Sequence, residues 1–420
     1  MSGSWLESVS HRAWLAGEAE RLVDFASRSV HPDGGFAWQD DDGTPLLERP
    51  VELWITTRMV HVLALAHLWG RPGAGPLVDH GLAALTGRMR DEAHGGWFAS
   101  VGPDGPVLAD KRSYEHSFVV LAAASALVAG RDGAAELLAD ALAVSDRHFW
   151  REDDGMVVDV WDRTWTDCEP YRGVNANMHT VEAYLAAADA TGDGVWRRRA
   201  LRITERVIHG WARTNGWRIP EHFDSDWQPQ PEYNADDPGH PFRPYGATIG
   251  HALEWSRLCL HVHAGLAAQN PQDPAAAPAW LIDDAAALFG NAVRDGWAVD
   301  GADGFVYTTG WDGSPVVRQR LFWVVGEGIA AAAALHAVTG SATERGQYEA
   351  AYRRWWDYAA TYFIDTEHGS WRHELDPGNR PASTIWQGKP DAYHAVQTTL
   401  IPRLPLAPTM AVAISRGQLR

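Results

Sequence analysis

Near its C-terminus the chain reads Gly388-Lys389-Pro390-Asp391-Ala392-Tyr393-His394, which sets a Tyr-His pair beside a cation and a carboxylate. Polar groups delivered by a loop on a rigid scaffold are where binding and catalysis concentrate. Imidazole titrates closest to neutrality of all side chains, so His394 is chemically suited to taking and returning a proton. Two more histidines have a carboxylate at helical spacing. In Asn175-Ala176-Asn177-Met178-His179-Thr180-Val181-Glu182, the residues Asn175, His179 and Glu182 share a face, and Asn175 or Asn177 is placed to cap the helix. In Gly250-His251-Ala252-Leu253-Glu254 a Glu again follows a His by three, where it would set the imidazole's tautomer and raise its pKa. Arg58 lies one turn after Trp54, either as a surface partner of Glu52 or as an inward fork of donors for hydroxyl groups. Tyr114 opens a further helical segment, where its hydroxyl would reach a ligand oxygen.

Three chemistries fit these residues. Two His-x-x-Glu pairs invite a metal, but carboxylate-bridged bundles use the order Glu-x-x-His with further Glu residues from facing helices. The order here is reversed and the extra carboxylates are not evident, so no metal and no cofactor are expected. A glycoside hydrolase needs two carboxylates ~5–10 Å apart across the bond it cuts. Asp224, Asp226, Glu232 and Asp236 are available for that role, without a visible partner. The third chemistry is proton transfer, and simple buried pairs are the alternative to all three.

The elements that must position these residues are helical. Segments 117–129, 134–149, 178–190, 247–268, 280–293, 322–338 and 344–363 carry Ala, Leu and other apolar residues at helical period. Between them a Gly-aromatic or Gly-apolar step recurs: Gly35-Phe36, Gly96-Trp97, Gly155-Met156, Gly216-Trp217, Gly304-Phe305 and, as a variant, Gly369-Ser370-Trp371. A repeat of this kind marks one supersecondary unit used many times. Each unit reads as two helices and a short hairpin turn, too thin to bury its own apolar face. Six pairs closing on themselves give an all-α (α/α)6 barrel with short β-hairpin loops, expected as a single domain over 1–420. The long interval 223–245 is rich in Pro, Asp and aromatic residues and is expected as a loop over the pocket mouth.

Composition narrows the function. The formal charge of −18 disfavours nucleic acid, which needs a basic face. No apolar stretch approaches the ~20 residues of a membrane helix, and no signal peptide is visible at the N-terminus. Two cysteines form neither a disulfide framework nor a zinc set, which fits a reducing, cytoplasmic setting. The 22 tryptophans exceed what a core requires and suit the C–H faces and hydroxyls of sugars.

Taken in order, Trp54-x-x-x-Arg58-Met59, Tyr114-x-x-Ser117-Phe118, Asn175-x-Asn177-Met178-His179-x-x-Glu182, Gly250-His251-x-x-Glu254-Trp255, Trp323-x-x-x-Glu327, His373-Glu374-Leu375-Asp376 and the 388–395 segment give the chain a known look. It resembles the N-acylglucosamine 2-epimerase superfamily, and within it the aldose–ketose isomerases that act on mannose or sulfoquinovose. The resemblance implies metal-free proton transfer on an unphosphorylated monosaccharide, in a monomer or homo-oligomer without nucleic-acid or membrane partners. By position it implies His251 and His394 as the acid/base pair. It places Arg58, Tyr114, Asn175, His179, Glu254, Trp323, Glu327 and Trp386 around the sugar. Phe322 stands where some relatives have a second Trp, and no phosphate loop for a nucleotide effector is visible.

Overall fold

The computed structural model describes residues 3–273 and 276–420; residues 1, 2, 274 and 275 of the expected 1–420 domain lie outside the described residues. In chain order the helices are α1 Val9–Ala26, α2 Leu53–Leu68, α3 Ala74–Thr86, α4 Ser113–Val128, α5 Ala134–Val144, α6 Val174–Thr191 and α7 Gly194–Thr204. They continue as α8 Ile249–Gln269, α9 Trp280–Gly296, α10 Phe322–Val338, α11 Ala342–Tyr358, α12 Tyr393–Leu400 and α13 Met410–Ser415. The even-numbered helices α2 to α12 are buried almost all round, as α10 illustrates with its run of Ala, Val and Gly. A helix that is apolar on every face belongs inside a larger assembly. Most of the others bury one stripe, such as Leu281, Ala285, Leu288 and Ala292 of α9 at helical spacing.

Among the described residues the six inner helices pack in sequence, α2 on α4, α4 on α6, α6 on α8, α8 on α10 and α10 on α12, and α12 closes the ring against α2. Each inner helix from α2 to α10 is backed by the helix that follows it, while α12 is backed by α1. The two ends of the chain therefore supply one helix pair together. The result is the expected (α/α)6 barrel. Because α12 has only eight residues, the far end of the ring is filled by α13, which lies against α2, α4 and α6.

The Gly-aromatic steps are the turns after the outer helices. Phe36, Trp97, Met156, Phe305 and Trp371 each bridge back to the end of the preceding segment, at Val30, Arg90, Arg151, Trp297 and Ile364. Gly216-Trp217 departs from this: the Trp217 N–H returns to the Ala212 carbonyl without a bridge. Whereas α8 starts at Ile249 rather than 247, two inner helices start earlier than periodicity predicts, at Ser113 and Val174 rather than 117 and 178. Their first turns carry polar residues that interrupt the apolar pattern. Neither Asn175 nor Asn177 caps α6, whose N-cap is Gly173. Asn177 instead accepts the Val157 N–H and donates to the carbonyls of Val157 and Gly173, tying the hairpin to the helix. No described helix is long and apolar enough to cross a membrane.

Candidate active site

A two- or three-residue strand precedes each inner helix from α2 to α10: Val51–Glu52, Lys111–Arg112, Tyr171–Gly173, Ala247–Thr248 and Arg320–Leu321. Each pairs antiparallel with a hairpin segment, so the position at which the helix begins is fixed. The consequence is a regular placement of side chains. Second residues of inner helices are Trp54, Tyr114, Asn175, Trp323 and His394; sixth residues are Arg58, His179, Glu254 and Glu327. Positions four apart share a helix face. All of these except Glu327 line one cavity, together with His251, the third residue of α8. The empty space the cavity encloses, counted together with the solvent at its mouth, is about 580 Å³.

His251 and His394 flank one indole: the Trp323 ring centroid lies 5.5 Å from His251 and 5.7 Å from His394. That indole can sit against α8 because Gly250 has no side chain; a Cβ there would meet it at 2.2 Å. His394 Nδ1 lies 2.9 Å from Glu327 Oε1. Burial alone would raise the Glu327 carboxyl, but the Arg257 guanidinium at 2.9 Å and the His394 hydrogen bond outweigh it and hold it at about 2. Glu327 is therefore an acceptor, Nδ1 of His394 carries the hydrogen, and Nε2 is left for a ligand. Burial pushes the His394 pKa below its ordinary value despite Glu327, so the ring is neutral at pH 7. His251 is oriented the same way by Glu221 Oε1, 3.0 Å from Nδ1.

The i, i+3 pairings read from the sequence do not form. Glu254 is not the partner of His251, and its Oε1 instead lies 3.9 Å from His179 Nδ1. Glu182 accepts from the Tyr393 hydroxyl and from Gln397 Nε2 at 3.1 Å rather than holding His179. The reason is direction. From His179, three residues along α6 leads out of the cavity, where Glu182 meets Tyr393 and Gln397 of α12, whereas Glu254 stays on the cavity wall but faces His179 rather than His251. Arg58 has neither of its expected alternatives in full: it points inward, but its partners are Asp391 at 3.2 Å and the Tyr114 hydroxyl at 2.8 Å, not Glu52. Within the C-terminal loop, Asp391 enters the site and Lys389 does not; the ammonium is buried against Asp365 at 2.7 Å and the Gly369 carbonyl at 2.9 Å.

The long loop joins the wall through Phe242, whose ring meets those of Trp54, Tyr114 and Trp386. Asn175 Nδ2 donates to its carbonyl at 3.3 Å. Trp386 completes this aromatic rim, and its backbone is gripped from below. The Glu374 carboxylate accepts the N–H groups of Thr384, Ile385 and Trp386. The hydrolase candidates stand elsewhere: Asp224 serves a turn by accepting the N–H groups of Asp226 and Gln228, and none of the four lines the cavity. Glu221, His373 and Tyr307 are site residues that sequence reasoning missed, although His373 stood in a quoted motif, while Phe242 belongs to the loop expected over the pocket mouth.

Two groups, His179–Glu182–Glu254 and Glu254–Glu327–His394, bring possible metal-ligand atoms within 4.8 Å of one another. Arg257 already lies among these carboxylates, 2.9 Å from Glu327, 3.4 Å from Glu254 and 3.8 Å from Glu182. A metal ion would have to share that space with a fixed cation.

Known proteins resemble this chain over nearly its whole length. The chain is 55% identical over 98% of both lengths to a D-mannose isomerase from Thermobifida fusca. It is 49% identical to a D-mannose isomerase from Pseudomonas cannabina pv. alisalensis, over 98% of this chain and 97% of that one. A crystal structure of a D-mannose isomerase superposes with a TM-score of 0.84 at 28% identity, covering 93% of this chain and 97% of the other. The profile of the N-acylglucosamine 2-epimerase (GlcNAc 2-epimerase) family matches residues 34–398, and the chain belongs to that family.

Proposed function

We propose that this chain is an aldose–ketose isomerase that interconverts D-mannose and D-fructose, with His394 and His251 as its proton-transfer groups. One observation carries the reading. Six residues that line the cavity each have a buried polar atom without a hydrogen-bond partner among the described residues: Arg58 Nε, Asn175 Oδ1, His179 Nδ1, Glu254 Oε2, His373 Nε2 and Trp386 Nε1. Leaving a buried polar group unpaired costs about 1–3 kcal/mol, so such atoms belong at sites where a ligand completes them. A ligand meeting six at once in a cavity rimmed by tryptophan is a compact polyol. Both relatives at about half identity or better are D-mannose isomerases.

The chemistry follows from the residues. The open-chain aldose offers C2–H beside the C1 carbonyl. Neutral His394, with Nδ1–H on Glu327, takes the C2 proton at Nε2. The C–H electron pair becomes the C1–C2 double bond and charge collects on O1. Fixed donors around the cavity, Arg58 among them, stabilise that charge without reorganising. The proton returns at C1, O2 gives up its own proton to O1, and the 2-ketose results. His251, held by Glu221, is placed to open the pyranose ring. Return of the proton to the other face of C2 would give the 2-epimer with the same groups. Among the described residues that line the cavity Arg58 is the one Arg or Lys, and Asp391 neutralises it. An anionic substituent, such as the sulfonate of sulfoquinovose, therefore meets no free counter-charge.

Incubation with D-mannose in deuterium oxide, followed by proton NMR, tests the reading. Fructose carrying label at C1 is expected; glucose labelled at C2 would instead indicate epimerisation. EDTA in the same tube is expected to leave the rate unchanged. His394→Ala is expected to lose at least nine-tenths of turnover while keeping its circular dichroism, and a variant above one-tenth of the wild-type rate would remove His394 from its role.

A further inference from the structure

Three carboxyl groups converge on one guanidinium beneath the cavity, and they are not equally provided for. Glu327 accepts from Arg257 Nε and from His394 Nδ1, both at 2.9 Å. Glu182 accepts from the Tyr393 hydroxyl and from Gln397 Nε2, with Arg257 3.8 Å away. Glu254 has a single 3.4 Å hydrogen bond from Arg257 to Oε1, and its Oε2 has no partner among the described residues. All three are buried, Glu254 completely, at 0% exposure. One cation cannot balance three buried carboxylates; when like charges share a dry site, the group with the fewest donors takes a proton.

The groups facing Glu254 from the surrounding helices leave the same imbalance. From α6 come His179 and Glu182, from α10 Glu327, and from α12 Tyr393 and His394. From α4 and α2 come Tyr114 and Arg58, and from its own helix Arg257, with His251 one turn before it. Arg58 is already committed to Asp391. Burial, reinforced by the Glu327 charge, lifts the Glu254 carboxyl well above its ordinary range against the pull of Arg257.

We infer that Glu254 enters the reaction as a neutral carboxylic acid and donates its O–H to the sugar oxygen that becomes negative as the C2 proton leaves. No proton needs to be transferred: the hydrogen bond strengthens as charge grows on O1, and the acid is unchanged at the end of the cycle. A carboxylic acid kept neutral by its surroundings is an effective donor of this kind. An ionised Glu254 in the same place would repel the enediolate. This inference rests on the isomerase reading for the identity of the oxygen, while the protonation state stands independently of it.

Two measurements on the full chain separate the two. Infrared difference spectra of resting wild-type and Glu254→Gln protein, in H2O and D2O, read protonation without any substrate. A protonated-acid carbonyl band that disappears in the variant is expected; its absence from the wild type would overturn the inference. Rates on D-mannose read the role. An amide is isosteric and still donates, so Glu254→Gln is expected within about tenfold of wild type, whereas Glu254→Ala falls much further. Equal losses in Gln and Ala variants that keep wild-type circular dichroism would overturn the donor role. If the wild type leaves mannose unchanged, the isomerase reading and the donor role both fall, and the infrared band still decides the protonation state.

Discussion

His394 combines two features that pull in opposite directions. Burial in the cavity lowers its pKa, and the Glu327 carboxylate 2.9 Å away raises it. Burial wins, so the ring is neutral at working pH while its tautomer is fixed by Glu327. A base in this state fails only when it is protonated, which happens below its own pKa. The acid limb of kcat/KM is therefore expected to have its midpoint below the ~6.5 of an unperturbed imidazole. Glu327→Gln removes the raising charge and leaves one acceptor oxygen where Arg257 and His394 now use two. It is expected to move that midpoint to still lower pH and to reduce kcat by roughly 10²-fold or more, the scale of general-base assistance. Initial rates from pH 4.5 to 8 check both, and a midpoint at or above 6.5, or an upward shift in the variant, would contradict the assignment. Glu327 is reachable by reasoning from the sequence only through its motif. Nothing in local spacing links it to a histidine 67 residues later. The same holds for Glu221 and His251, which belong to a hairpin and a helix that meet only in the closed ring.

At the scale of elements, periodicity and punctuation carried most of the information. The inner helices are long Ala- and Leu-rich runs, and the Gly-aromatic turns mark where the outer layer ends, so the helix pairs and their number were readable. Helix starts were less so, because Tyr114 and Asn175 are polar for reasons of the site and break the apolar pattern. The C-terminal loop shows how one short stretch divides its duties. Gly388 packs so tightly that a Cβ would meet the Gln39 carbonyl oxygen at 2.2 Å, and its φ is +69°. Lys389 pins the loop to Asp365, and Asp391 then meets Arg58. Gly130 has a similar φ of +67° with nothing within 4 Å of a Cβ, which makes it a matched control. Alanine at either position costs about 1–2 kcal/mol for left-handed backbone. Only Gly388→Ala adds a clash that displaces Trp386 and Asp391. It is expected to raise KM for mannose several-fold beyond any change in Gly130→Ala, and equal KM values in the two variants would separate this loop from substrate binding.

The whole molecule is a ring whose inner layer is unusually rich in buried titratable groups, and that has a consequence for its stability. Burial drives His61, His261 and His373 down to about 4 and His116 to about 3, and it lowers His179 and His394 as well. These rings are neutral when folded and take up protons when unfolded below ~6.5, so the unfolded state binds more protons and stability is lost as pH falls from 6.5 towards 4. Burial acts in the opposite sense on carboxyls: Glu52 and Asp159 rise to about 7, and Glu115 and Glu254 are also raised. Their cost to the folded state grows as pH rises from the ordinary carboxylate range and is relieved on acidification. Between pH 6.5 and 5 both sets act in opposite senses, and the lowered histidines outnumber the raised carboxyls. Stability is thus expected to peak between about pH 6 and 7 and to fall on the acid side. Above the peak only the carboxyls act; they are already ionised in the unfolded chain, so the alkaline decline continues until they ionise in the folded one as well. The formal charge of −18 works the other way in acid, because protonation relieves self-repulsion across the surface, but that effect is screened by salt and the buried term is not. Urea unfolding at pH 5, 6, 7 and 8 in 0.2–0.5 M salt, roughly enough to shorten the screening length below 10 Å, isolates the buried contribution. A midpoint that held steady or rose from pH 6 to 5 would mean that the ring's interior does not exclude protons as its packing requires.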